Sequence, residues 1–255
     1  MFVLFFLIGA VIGSFLNVCI YRIPAKISVA WPPSHCPKCN KEIKWYDNIP
    51  ILSFIILGAK CRYCKEEISF QYPLVEFLSA VLTTWFFYVF GLTPWLFCVL
   101  FCLYVLIVAS FIDIKTYTIP DFLSVGLIFF GLMVCFLNPA FSGSFLETFR
   151  SSLIGASVGF FGSWGLALIC SAVIKKDSLG GGDIKLMGAI GALCGVLGLI
   201  NVLMIASLLG LLYFAFLAYL KKSPKNGAIP FGPFLSVGLL INLLFPHFNF
   251  LFLGM

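Results

Sequence analysis

Residues 186–220 are 35 consecutive positions without a charge, and residues 74–112 are 39 positions whose only charge is Glu76. A helix crosses a bilayer with roughly 20 apolar residues, so each stretch has the length of two crossings. Water offers no folded core that needs runs of this kind, which leaves lipid as the solvent. Composition agrees: 62% of the residues are hydrophobic and 10% charged, where soluble domains stand at roughly half and a quarter.

Further apolar runs lie at 1–20, 122–137, 151–174 and 231–253. No basic segment precedes the first, so it reads as a first span and not as a cleaved signal. Gly91-Leu92-Thr93-Pro94 divides one long run, and a break between Gly198 and Asn201 is expected in the other. The expected fold is an all-α polytopic membrane protein of about eight transmembrane helices. Alternating eight crossings sends 15 of the 16 basic residues to one face and leaves Arg150 alone on the other. Basic loops stay cytoplasmic, so both termini are expected on the outer side. The net charge of +6 then reads as an orientation signal, with no nucleic acid required.

Three parts follow: a first transmembrane helix (1–23), a cytoplasmic loop (24–72) and a transmembrane domain (73–255). The loop carries 11 of the 26 charged residues and four of the ten cysteines. Cys36-Pro37-Lys38-Cys39 and Cys61-Arg62-Tyr63-Cys64 are paired C-x-x-C knuckles, and four thiolates close a tetrahedral Zn2+ site. Disulfides are the competing reading, and the reducing cytoplasm disfavours them. His35 is an alternative fourth ligand. A closed four-sulfur shell leaves no position for substrate, so the metal is expected to be structural. The other six cysteines lie in spans, as packing residues.

Two acids sit at the ends of apolar runs: Asp113 in Phe111-Ile112-Asp113-Ile114-Lys115, and Asp183 after Gly180-Gly181-Gly182. An acid at a helix start is often only a cap. That suffices for Asp121 and competes for Asp183. Three glycines exceed what a cap needs and let the backbone pass close to another helix or an extended peptide. Acids at a membrane edge are functional candidates. If Asp113 and Asp183 meet, both cannot ionise comfortably, and they share a proton. Such a pair can activate water and protonate a carbonyl oxygen. Lys115 and Lys185 each follow an Asp by two residues. Asn17, polar near the end of the first span, is expected to bond a neighbouring helix or a substrate. Glu76 would receive a cation: a Lys, an Arg or a substrate's amino terminus. Arg22 is a stop-side anchor.

The chain resembles the type IV prepilin peptidases, membrane aspartic proteases of the bacterial inner membrane. The resemblance rests on Gly13-Ser14-Phe15-Leu16-Asn17-Val18 with Tyr21-Arg22, the paired C-x-x-C loop, and Tyr72-Pro73-Leu74-Val75-Glu76. It extends through Asp113 with Ile119-Pro120-Asp121, Gly180-Gly181-Gly182-Asp183-Ile184-Lys185-Leu186, and Pro230-Phe231-Gly232-Pro233-Phe234. It implies catalytic roles for Asp113 and Asp183, with Gly180, Gly181, Gly182, Lys185, Asn17 and Glu76 binding substrate or supporting the site. It implies type IV prepilins or pseudopilins as protein substrates, cut after a Gly at the cytoplasmic face. It also implies N-methylation of the new amino terminus from S-adenosylmethionine. Two other readings stand beside it: a proton-coupled transporter using the same aspartates, and a non-enzymatic scaffold docked through the zinc loop. Transporters of that kind place such acids near the midplane within inverted repeats. Here both acids are at an edge, and no repeat is evident.

Overall fold

A computed structural model describes residues 1–141, 143–174, 179–220 and 229–245. Lys175, Lys176, Asp177, Lys221, Lys222, Lys225 and the end of the last expected span lie outside these residues. The described residues are all-α, apart from two isolated bridges in the loop. The chain forms two compact units, Met1–Val108 and Ala109–Met255.

In the first unit, α1 (Phe2–Arg22) and α3 (Gln71–Phe90) run antiparallel, with the short helix α2 (Leu52–Ile56) in the loop between them. Gly9 and Gly13, four residues apart on one face, let the two backbones close up. A Cβ on either would lie 2.7 Å from a backbone Cα of α3, Ala80 and Glu76 respectively. Small residues at this spacing are how helices associate in lipid, where no hydrophobic force drives them together. Asn17 joins the seam by donating to Tyr72 O at 3.0 Å. Arg22 does more than anchor a stop. Buried at the end of α1, its guanidinium donates to Ser28 O (2.9 Å) and Pro32 O (2.6 Å), fixing the first turns of the loop.

The helix α4 (Pro94–Thr116) leads into the second unit, which holds α5 (Asp121–Val134), α6 (Phe145–Ser157), α7 (Ser163–Ile174), α8 (Gly181–Tyr219) and α9 (Gly232–Leu244). The long helix α8 is its spine and touches α5, α6 and α9. A π-turn, Val158–Gly162, joins α6 to α7. Gly155 of α6 faces Gly191 of α8 so closely that a Cβ on either would run into the other's carbonyl. We expect Gly155→Leu to lower the thermal midpoint in detergent, through overpacking that costs about 1–3 kcal/mol or more. The same change at Gly126, beside which nothing lies within 4 Å, should leave the midpoint in place.

The expected count of eight spans is corrected. Among the described residues, five helices are long and apolar enough to cross a membrane: Phe2–Arg22, Gln71–Phe90, Pro94–Thr116, Phe145–Val173 and Gly181–Tyr219. Asp121–Leu137 and Gly232–Leu244 are apolar but shorter. The break expected in the run 186–220 falls at Gly195 and not between Gly198 and Asn201: two helical segments meet there across a kink, and the Gly195 φ of 69° is left-handed, a conformation glycine takes without steric cost. The bend frees carbonyls of the preceding turn, and two side chains, one from α6 and one from the loop before it, satisfy them. Ser152 Oγ donates to Ala192 O (2.6 Å) and Asn138 Nδ2 to Leu193 O (2.5 Å). In lipid that compensation is what lets a helix bend.

Candidate functional site

Four helix termini of the second unit meet at one end: the end of α4 and the starts of α5, α8 and α9. Asp113, in the last turn of α4, is buried, and its Oδ2 accepts the Gly232 N–H at 3.0 Å. That N–H is free because Gly232 opens α9, where the first backbone donors have no partner within the helix. Ile119, in the loop after α4, sits in the middle. A Cβ on Gly232 would lie 2.8 Å from Asp113 Oδ2 and 2.9 Å from Ile119 Cδ1. A Cβ on Gly182 would lie 2.8 Å from Ile119 Cβ and 3.1 Å from its carbonyl. The close approach expected of the triple glycine is thus made by Gly182, against a loop of the same unit. Gly180 is the cap residue of α8, and its N–H bonds the Asp183 carboxylate. Nothing stands within 4 Å of a Cβ on Gly181.

Asp183 opens α8 next to this cluster, and the charge of Asp113 acts on it. Its Oδ1 is buried with no hydrogen-bond partner among the described residues. A buried carboxyl oxygen in that state calls for a proton or a water. The arrangement therefore has what acid–base chemistry on water needs: two interacting carboxyls, one steadied by a backbone amide, the other with an unused oxygen.

The remaining sequence candidates divide. Lys185 pairs with Asp121 at 2.5 Å, tying the start of α8 to the start of α5. The capping expected of Asp121 is not made, because Pro120 takes the cap position and Asp121 becomes the first residue of α5. In the first unit, Asn17 also reaches Gly13 O within its own helix. The buried carboxylate of Glu76 accepts the Ile51 N–H at 2.7 Å and the Ser14 hydroxyl. Its partners are thus a backbone amide and a hydroxyl, and no cation stands in an ion pair with it among the described residues. Two members of the second-unit cluster, Gly232 and Ile119, were not singled out from sequence as site residues. Their signal was present in the Pro-Phe-Gly-Pro and Ile-Pro-Asp motifs. What those motifs touch is a tertiary fact.

The four cysteine sulfurs of the loop lie within 4.8 Å of one another. Cys36 Sγ and Cys64 Sγ are 3.8 Å apart. A tetrahedron with metal–sulfur bonds of about 2.3 Å has edges of about 3.8 Å, so the donor set fits zinc. His35 is not among the clustered residues, and its Nδ1 lies 3.1 Å from Pro33 O. The two knuckles repeat one local design. Asn40 and Lys65, each just after a second cysteine, have φ of 55° and 60°. Cys36 N–H and Cys61 N–H donate to Lys41 O and Glu66 O, and the bridges His35–Glu42 and Lys60–Glu67 flank them. This turn aims backbone N–H groups at sulfur. The N–H groups of Cys64 and Tyr63 lower the Cys61 thiol to about 6. At Cys64 the Glu66 N–H also lowers the thiol, but desolvation and the neighbouring sulfurs outweigh it and raise it to about 11.

Fold and site together define a multi-pass membrane protein with a carboxylate pair where helix ends meet and a four-cysteine metal-binding loop. The chain belongs to the type IV leader peptidase family. The profile of that family matches residues 100–215, and that of the bacterial peptidase A24 N-terminal domain matches residues 7–90. Among curated relatives, the Prepilin leader peptidase/N-methyltransferase of Pectobacterium carotovorum is 33% identical, over 95% of this chain and 92% of its own. Proteins of the same name from Aeromonas salmonicida and Pseudomonas aeruginosa are 34% and 30% identical, over 95% and 93% of this chain and 90% and 88% of theirs. No solved structure matches.

Proposed function

We propose that this protein removes the basic leader from type IV prepilins and pseudopilins at the cytoplasmic face of the inner membrane, using Asp113 and Asp183 as an aspartyl dyad. The observation that carries the reading is the meeting of these two acids at one cluster of helix ends. One carboxylate takes a proton from water, and the other gives a proton to the scissile carbonyl oxygen. The hydrated intermediate then collapses and releases an amine. Gly232 holds Asp113 in place through its N–H, and Gly182 keeps the start of α8 against Ile119. Lys185 and Asp121 brace the same corner. In this reading residues 73–255 form the peptidase and residues 24–72 the cytoplasmic loop; with the two segments of 186–220 and the two shorter apolar helices crossing as well, the passages number eight and both termini face outward.

The second step is N-methylation of the new amino terminus, by analogy with the relatives' names. The methyl donor would be S-adenosylmethionine, which supplies an electrophilic methyl group. A cavity of about 590 Å3 in the first unit is lined by Phe54, Lys60, Glu67, Ser69 and Phe70. Two phenyl rings and two opposite charges suit a zwitterion that carries an aromatic base. Phe54 and Phe70 would meet the base, and Lys60 and Glu67 the charged end.

The test is purified protein mixed in detergent with a synthetic prepilin. Release of the leader, read by mass, supports the peptidase, and the mass of the mature product with labelled donor reports the methylation. Gly232→Ala should slow cleavage by roughly tenfold to a hundredfold, the scale of a misplaced catalytic group, while the protein stays folded. Undiminished cleavage by that variant would remove Gly232 from the positioning role.

A further inference from the structure

The loop between α1 and α3 holds an apolar stretch that the zinc site does not use. Residues 49–59 are apolar apart from Pro50, Ser53 and Gly58. In the structure this stretch forms α2 and divides its sides. Ile51 and Phe54 turn toward α3: the Ile51 N–H donates to Glu76, and the Phe54 ring meets Phe70 at 6.4 Å. Leu52, Ile55 and Ile56 face away and are 56%, 67% and 77% exposed. Exposed apolar groups gathered in one patch mark a surface that meets something apolar.

We propose that α2 lies in the headgroup–acyl boundary of the bilayer, with Leu52, Ile55 and Ile56 in lipid, and holds the cysteine-bearing loop down on the membrane surface. Depth is the main argument. Glu76 is five residues beyond Gln71, the first residue of α3, which is about 7.5 Å along a helix. Its bond to Ile51 pins the start of α2 at that level, beside a helix that crosses the membrane. Interfacial helices sink their apolar side by about 5–10 Å. At this depth the volume next to α3 belongs to lipid unless protein fills it. A second tether points the same way. Arg22, the last residue of α1, grips Ser28 O and Pro32 O and so keeps Trp31, 73% exposed, near the same end of the helix pair. Tryptophan at that level is the usual membrane-interface anchor. The other conceivable occupant is the apolar helix of a protein substrate. A permanent lipid seat differs from it in needing no substrate.

A genetically encoded fluorescent amino acid at position 55 tests this in the full-length protein in lipid nanodiscs, with position 56 as a second site and Lys38, 67% exposed at its side chain, as the surface control. Expected is quenching by bromine on the lipid acyl chains at positions 55 and 56, with at least fivefold less quenching by aqueous iodide there than at position 38. Equal iodide quenching at all three positions would overturn the proposal. So would iodide access at 55 and 56 that disappears only when a synthetic prepilin is added, because the face would then be a substrate dock. The outcome does not depend on peptidase activity.

Discussion

Asp113→Asn and Asp183→Asn should each lower release of the leader from a synthetic prepilin by roughly a thousandfold or more, because in the proposed dyad each would remove a group of a kind that contributes about 10²–10⁴ as acid or base. The two variants are near-isosteric, so loss of activity reports chemistry and not shape. Asp113→Asn keeps an amide oxygen that can still accept the Gly232 N–H. Asp183→Asn places an amide where Asp183 has a buried oxygen without a partner. Folding should survive both, as read by unchanged thermal midpoints. The double variant should be no worse than either single one, because groups that act as a unit lose their whole effect when one is removed. Full cleavage by either variant would end the dyad reading. Loss of cleavage with a collapsed midpoint would instead assign the acids to structure.

How far the sequence reaches is clearest at α8. A charge-free run of 35 residues is unmistakable in length, but four glycines, Gly188, Gly191, Gly195 and Gly198, lie within eleven positions of it. Any of them could have broken the helix. The chain bends at Gly195 because Ser152 and Asn138 are in place to take the freed carbonyls of Ala192 and Leu193, 40 and 55 residues further along the chain. Composition does not carry that choice. The same holds for length. Residues 122–137 and 231–253 look like spans by hydropathy, yet the described helices there are short; with Gly181–Tyr219 counted as one, this moves the count from eight to five long ones. The candidate site behaves likewise. Asp113 and Asp183 announce themselves as acids in apolar surroundings. The donor that steadies Asp113 is a backbone amide 119 residues away, and a backbone amide has no letter in the sequence. Glu76 was legible as a buried acid and misread in its partner for the same reason. The cysteines were legible in full, because C-x-x-C fixes the local turn and two such turns need only one metal to join them.

That last point carries the second large effect. Removing zinc, by a strong chelator or by Cys36→Ser with Cys61→Ser, should unfold the 24–72 loop while leaving the helices in place. Few other contacts can hold this loop. It has one four-residue and one five-residue helical turn, two single bridges, and mostly exposed side chains. Of its ion pairs, Lys38–Glu66 lies at the surface, where such a pair contributes at most about 1 kcal/mol, and the bidentate Arg62–Asp47 pair joins only the first helical turn to the second knuckle. A structural zinc in a small domain supplies about 10–16 kcal/mol of folding free energy at neutral pH, so the metal outweighs everything else in the loop. The purified parent should hold one zinc per chain by elemental analysis. Metal removal should open residues 30–70 to hydrogen exchange and proteolysis, while α1 and α3 keep the protection of their Gly9 and Gly13 seam. Acid should do the same: the four sulfurs bind as thiolates, so protons compete with the metal and occupancy falls as pH drops. A folded, protease-resistant loop with zinc near zero would overturn this. If leader cleavage continues after the loop opens, the metal serves the loop's own architecture and the carboxylate pair works without it.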